Sequence, residues 1–167
     1  MRLRALEPED LELLYTIENN TEMWSVGSQT APISRFHLRD YIANNACDIY
    51  KDEQVRYIIE ISDGEKKEAV GLIDLFNFSP QHNRAELGVA ILKKHEGHGY
   101  AQRAISEISK IGKNIIHLKQ IYAIVPEEHH ASLRMLEKSG FCYGGTLKEW
   151  LYNGEKYANA TIMQLFL

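Results

Sequence analysis

The chain has 167 residues, of which 44% are apolar and 25% charged, and carries a formal net charge of −4. That length suits a single compact domain, expected over 1–167, and the composition excludes a disordered chain. The acidic balance and the lack of a Lys/Arg block argue against nucleic acid as partner, since such affinity comes mainly from neutralised phosphates.

The opening Met1-Arg2-Leu3-Arg4-Ala5-Leu6-Glu7-Pro8 meets Glu7, Glu9 and Asp10 before a long apolar run can develop, so neither a signal peptide nor a membrane span is expected there. Two cysteines, Cys47 and Cys142, allow at most one bridge and favour a reducing, cytoplasmic setting. Around Leu3 a short strand is expected. Pro8 and the acids beside it then open a helix through Leu11, Leu14, Tyr15 and Glu18. Asn19 to Pro32 is polar with scattered glycine, and Ser34 is placed to cap a second helix through Phe36, Leu38, Tyr41 and Ile42.

Val55 to Ile61, rich in β-branched and aromatic residues, reads as a strand turning at Ser62-Asp63-Gly64-Glu65 into a second from Ala69 to Phe76. A third runs from Ala85 to Leu92. Ala101, Ala104, Ile105, Ile108 and Ile111 then recur at helical spacing. Gln120 to Val125 is a further strand stopped by Pro126, and Ala131, Leu133, Leu136 and Lys138 build a helix closed by Gly140. Asn153-Gly154, between Gly144–Tyr152 and Tyr157–Phe166, signals a type I′ hairpin. The class is mixed α/β.

Glu96-Gly97-His98-Gly99-Tyr100-Ala101 sets two glycines at a helix start, where main-chain N–H groups lack intrahelical partners and a missing Cβ lets a phosphate approach. The same turn serves equally well as a plain strand-to-helix connection. A dinucleotide fingerprint requires glycine where Gln102 stands and a carboxylate near His117 to Gln120, and neither is present. Nor is there the Gly-Lys-Ser/Thr of a Walker A loop.

The segment resembles the acetyl-CoA loop of the GNAT superfamily of acyltransferases, with Glu96, Gly99 and Ala101 at its defined positions and Glu96 a departure from the usual Gln or Arg. Ser132-Leu133-Arg134-Met135-Leu136-Glu137-Lys138-Ser139-Gly140-Phe141 is similar to a second motif of that family. The similarity extends from Leu3-Arg4-Ala5-Leu6 through Arg84-Ala85-Glu86 to Asn159-Ala160. It runs closest to the branch of spermidine N-acetyltransferases and of enzymes that acetylate ribosomal N-terminal alanine. The resemblance implies a GNAT fold (α+β), with a bent mixed sheet of about six to seven strands and about four helices. It also implies acetyl-CoA as donor, wedged between two splayed strands, and an amine as acceptor.

Transfer to an alkylamine, whose pKa is about 10.4, requires that a proton be taken. Glu86 is the candidate base, alternating with apolar neighbours on the strand before the loop; the alternative is a surface glutamate. By the resemblance, a main-chain N–H among Val89, Ala90 and Ile91 receives the oxyanion, and Gly97, His98, Tyr100, His129 and Lys138 join the cofactor contacts. The family's tyrosine acid is replaced by Leu136. Tyr122, Tyr143, Tyr152 and Tyr157 are read as aromatic packing residues. Lys93, Lys94 and His98 are read as charge near the cofactor phosphates, the alternative being a plainly solvated lysine pair, and His95 with His98 is too weak a pattern for a metal.

Loss of that tyrosine leaves open a second class, an acyl-CoA-binding module without turnover. The acceptor is a small molecule or a peptide N-terminus, and a homo-oligomer is possible. In the branch's spermidine enzymes, glutamates between the first two helices partner the polycation. Here Ser28 to Phe36 contains no acid, which disfavours a polyamine.

Overall fold

The structure, a computed structural model, describes residues 1–21, 31–152 and 154–167. Seven strands form one sheet in the order β1-β2-β3-β4-β5-β7-β6. They are β1 (Arg2–Arg4), β2 (Val55–Asp63), β3 (Lys66–Ser79), β4 (Arg84–Ile91), β5 (Gln120–Pro126), β6 (Cys142–Tyr152) and β7 (Tyr157–Phe166). Among the described residues the helices are α1 (Leu11–Glu18), α2 (Arg35–Asn44), α3 (Ile49–Asp52), α4 (Tyr100–Ile111) and α5 (His130–Lys138). The mixed α/β architecture agrees with expectation. The unforeseen helix is α3, capped by the Asp48 side chain accepting from the Tyr50 N–H at 2.9 Å, because one turn is too short to show a helical period.

Local signals act where the sequence puts them. The Ser34 hydroxyl oxygen accepts from the His37 N–H at 3.2 Å and starts α2. Gly140, at φ 92°, closes α5: the Gly140 N–H reaches the Glu137 carbonyl and the Phe141 N–H the Leu136 carbonyl, a Schellman end. Of the predicted hairpin turn, Gly154 has φ 94°, while Asn153 lies outside the described residues.

All neighbouring strands are antiparallel except β4 and β5, between which α4 crosses. The sheet buries a core on each face. One joins α4 and α5 to Ile59, Ile73, Leu87 and Ile121; the other joins Leu11, Leu14 and Ile17 of α1 and Leu38 of α2 to Ile58, Leu72 and Ala90. Strand alternation therefore sets Glu86, Gly88 and Ala90 on the α1/α2 face, and Ala85 and Leu87 on the opposite one.

Gly71 of β3 lies against β4, where an added Cβ would stand 2.2 Å from the Ala90 carbonyl oxygen. Backbone cannot yield as a side-chain tip does. Gly71→Ala is expected to cost about 3 kcal/mol, the upper range for overpacking, read as a lower denaturant midpoint.

Candidate active site

The parallel pairing of β4 with β5 is short. It joins Arg84 to Gln120, Ala85 to Ile121 and Glu86 to Tyr122, and stops. Beyond that, β4 stays paired to β3 as far as Ile91, and β5 to β7 as far as Pro126. The facing edges of the two strands thus part above Glu86 and Tyr122 and leave main-chain donors and acceptors uncommitted in a wedge. Val89, Ala90 and Ile91 form one wall of it.

Glu86 and Tyr122 stand at the apex. The Glu86 carboxylate accepts from the Asn77 side-chain amide at 2.9 Å, and the Tyr122 hydroxyl, on the strand paired at that register, is near enough to favour its charged form. Burial holds its pKa above the ordinary glutamate value, against the lowering by these two donors. Burial, then the neighbouring carboxylate, likewise raises that of Tyr122. A half-buried carboxylate with an elevated pKa in a cleft is equipped to take a proton near neutral pH.

Tyr122 and Asn77 are site residues that sequence patterning missed. Tyr122 reaches Glu86 through register with a strand beyond α4, and Asn77 through the irregularity between Phe76 and Ser79, where it adopts φ 48°. Tyr122, read as packing, stands opposite the candidate base in the parallel register. Tyr152 and Tyr157 pack ring against ring, centroids 5.1 Å apart, while Tyr143 is 65% exposed on β6.

The glycine turn comes next to the wedge in the chain. Gly97 and Gly99 adopt φ 77° and 73°, and a Cβ on either would meet nothing within 4 Å. The glycines are thus required by backbone conformation, and the space beside them is open to a phosphate. Gly99 is the N-cap of α4, its carbonyl taking the first helical bond from the Arg103 N–H at 3.2 Å. The N–H groups of Tyr100, Ala101 and Gln102 have no partner within the helix, a cradle that fits a pyrophosphate.

Around the turn, the His98 ring stacks on Tyr100 at 5.6 Å, and its Nδ1 lies 2.8 Å from the Glu96 carbonyl oxygen. His95 is bonded to Glu68 at 3.1 Å, and Lys94 pairs with the same carboxylate at 2.6 Å. Lys94 is thereby partly neutralised, whereas Lys93 makes no ion pair among the described residues. His129 caps α5, its Nδ1 accepting from the Ser132 N–H at 3.2 Å, so that nitrogen is already engaged. Leu136 is buried in the core, and Lys138 is exposed at the far end of α5.

The sheet face carrying Glu86 holds a second cluster. Arg56 of β2 is bonded to both Asp74 oxygens, at 2.8 and 2.7 Å, and to Glu18 of α1, with Tyr41 5.5 Å from its guanidinium carbon. Asp74 opposes Gly88, two residues along β4 from Glu86 on the same face. Without a side chain at Gly88, whose Cβ would lie 3.9 Å from Asp74 Oδ2, that carboxylate borders the wedge.

A parallel strand pair that parts over a carboxylate, followed by a glycine cradle at a helix start, defines a transferase built to hold an acyl-coenzyme A thioester. Residues 1–142 match the family described as the Acetyltransferase (GNAT) domain, and the chain belongs to it. It is similar to spermidine N(1)-acetyltransferase of Escherichia coli (strain K12), 28% identical over 166 residues, 99% of this chain and 86% of that protein. It is 30% identical to the uncharacterized N-acetyltransferase YoaA of Bacillus subtilis (strain 168), over 93% of this chain and 87% of that one. The crystal structure of spermidine N-acetyltransferase from Vibrio cholerae in complex with CoA and spermine superposes with a TM-score of 0.84. It is 26% identical and covers 99% of this chain and 94% of its own. The protein is an acetyl-CoA-dependent N-acetyltransferase rather than a binding module without turnover. Among the described residues no helix is long and apolar enough to cross a membrane.

Proposed function

We propose that Glu86 is the general base for acetyl transfer to the primary amine of a small aliphatic cation. What carries the reading is the carboxylate at the apex of the wedge, raised in pKa by burial and held by Asn77. It accepts the proton of the incoming ammonium, directly or through water, and the neutral amine attacks the thioester carbonyl. A main-chain N–H among Val89, Ala90 and Ile91 takes the oxyanion, so no side chain is needed for that charge. Leu136 has no proton to give, and a departing thiolate with a pKa of about 8.5 can leave without one. Gly97, Gly99, Tyr100 and Ala101 hold the pyrophosphate.

Two observations bear on the acceptor. The acid-free Ser28 to Phe36 stretch, of which Ser28, Gln29 and Thr30 lie outside the described residues, speaks for a weakly charged amine or a peptide N-terminus. Against it, Asp74 and Glu86 lie on one sheet face, and relatives of known activity act on spermidine. We take the second as decisive: the acidic sheet face that carries Glu86 supplies the anionic environment that the loop lacks. Catalytic efficiency for spermidine is expected to exceed that for propylamine and for an alanine-starting peptide by about tenfold, with the margin shrinking as salt screens the charges. Equal efficiencies would return the acceptor to the less charged class.

A further inference from the structure

The β3–β4 ladder ends at Gly71 and Ile91, and one more main-chain bond, from the Leu92 N–H to the Val70 carbonyl at 2.9 Å, closes the sheet there. The chain then leaves β4 through a single helical turn, Lys93–His95, and enters the glycine turn with no further main-chain bond to β3 among the described residues. Glu68, on the part of β3 that runs on past the ladder, holds this exit by its side chain. Its Oε1 accepts from the Lys94 ammonium at 2.6 Å and from His95 Nε2 at 3.1 Å. The lysine side chain is 64% exposed and the imidazole only 14%, so His95 is the fixed partner of the two.

His95 passes the hold on to the helix start. Its ring meets Tyr100, the first residue of α4, edge to face with centroids 6.4 Å apart; His98 stacks on the same tyrosine, and the Arg103 guanidinium lies 4.9 Å from its centroid. The carbonyls of His95 and Glu96 lie 3.2 and 2.8 Å from His98 Nδ1, which carries the proton because a carbonyl only accepts. Gly97 and Gly99 have no side chain to contribute, and glycine is the loosest backbone from which to build a phosphate cradle. Order in the turn therefore comes from its flanks, and among those contacts Glu68 supplies the one that reaches back to the sheet.

We propose that Glu68 is a positioning residue for the donor: by tying His95 to β3 it fixes the glycine turn in the shape whose N–H groups receive the pyrophosphate. This rests on the pyrophosphate lying at that turn. The tether reduces the ordering that binding would otherwise demand, so it acts on donor affinity and not on the chemical step.

Acetyl-CoA affinity, melting temperature and initial rates of the whole protein test the tether together. Glu68→Ala is expected to raise the dissociation constant and the KM for acetyl-CoA about tenfold, the worth of a hydrogen bond to a charged group, with kcat and the KM for the amine unchanged. His95→Ala should weaken donor binding by a similar factor, and the double variant by no more than either, because the two residues form one contact. Glu68→Gln keeps an acceptor of the same reach and should stay within about threefold of the unsubstituted protein. A partly exposed pair adds little to stability, so the ligand-free melting temperature of Glu68→Ala should fall by no more than about 3 °C. Glu65→Ala, which removes a carboxylate from the neighbouring β2–β3 turn, controls for charge alone and should leave donor binding unchanged. Tighter binding in Glu68→Ala overturns the proposal, since Glu68 would then only withhold Lys94 from the donor phosphates. Unchanged affinity, a loss matched by Glu65→Ala, additive losses in the double variant, or a large fall in ligand-free melting temperature overturns it equally. If no amine is acetylated, donor affinity still decides the tether, and that failure belongs to Glu86.

Discussion

Glu86→Gln is expected to lower turnover by about 10²-fold or more, the scale of a lost general base, while the rise in melting temperature on adding acetyl-CoA persists. The amide is isosteric, and its oxygen can still accept from Asn77, so the apex should keep its shape. What disappears is a group able to take the ammonium proton. Burial raises the Glu86 pKa, so the acid limb of kcat/KM in the unsubstituted protein should fall above the ordinary glutamate value of about 4.3. The sign follows from the role: the base works only when deprotonated, so the rate climbs as pH rises through that pKa. In the variant this limb should vanish, and the deficit should narrow at high pH, where the amine is already neutral. Turnover unchanged across the range would make Glu86 a half-buried strand residue and no more.

Gly99→Val should abolish acetyl-CoA binding. In the unsubstituted protein, a hundredfold excess of ligand over its dissociation constant contributes about 2.7 kcal/mol of stability, read as a melting shift. The valine faces two penalties. At φ 73° its backbone sits in the left-handed region, at a cost of about 1–2 kcal/mol. Its side chain also fills the space beside the α4 N–H groups, which is open in this structure and is where the pyrophosphate must come. Gly64→Val separates the two. Gly64 has φ 59° and open surroundings in the β2–β3 turn, so that variant should lose comparable stability yet keep the whole ligand shift. A full shift in the Gly99 variant would remove the turn from the donor site.

Much of the site was legible because its chemistry is local. Gly97 and Gly99 before an amphipathic helix mark a turn open to a phosphate, which the family resemblance turned into a donor-site expectation, and Glu86 stands out as the acid in an apolar alternation. The partners of Glu86 were not legible. Tyr122 is one tyrosine among nine in the chain, and what selects it is parallel register across a helix crossover. Asp74 belongs to an apolar strand whose pattern offers no reason to look to Arg56 or Glu18.

By itself, the sequence determined the order of the seven strands and of every described helix but α3, the cap at Ser34, the glycine end of α5 at Gly140 and the glycine turn before α4. Each depends on residues within a turn or two, where propensity, capping and the missing Cβ act directly. Tertiary structure alone decided that β4 and β5 stop pairing at Glu86 and Tyr122, because that depends on how far α4 and the rest of the sheet hold the strands apart. Glu86 lies at the last register where the two strands still pair, and burial there, a product of the packed sheet rather than of its neighbours along the chain, raises its pKa.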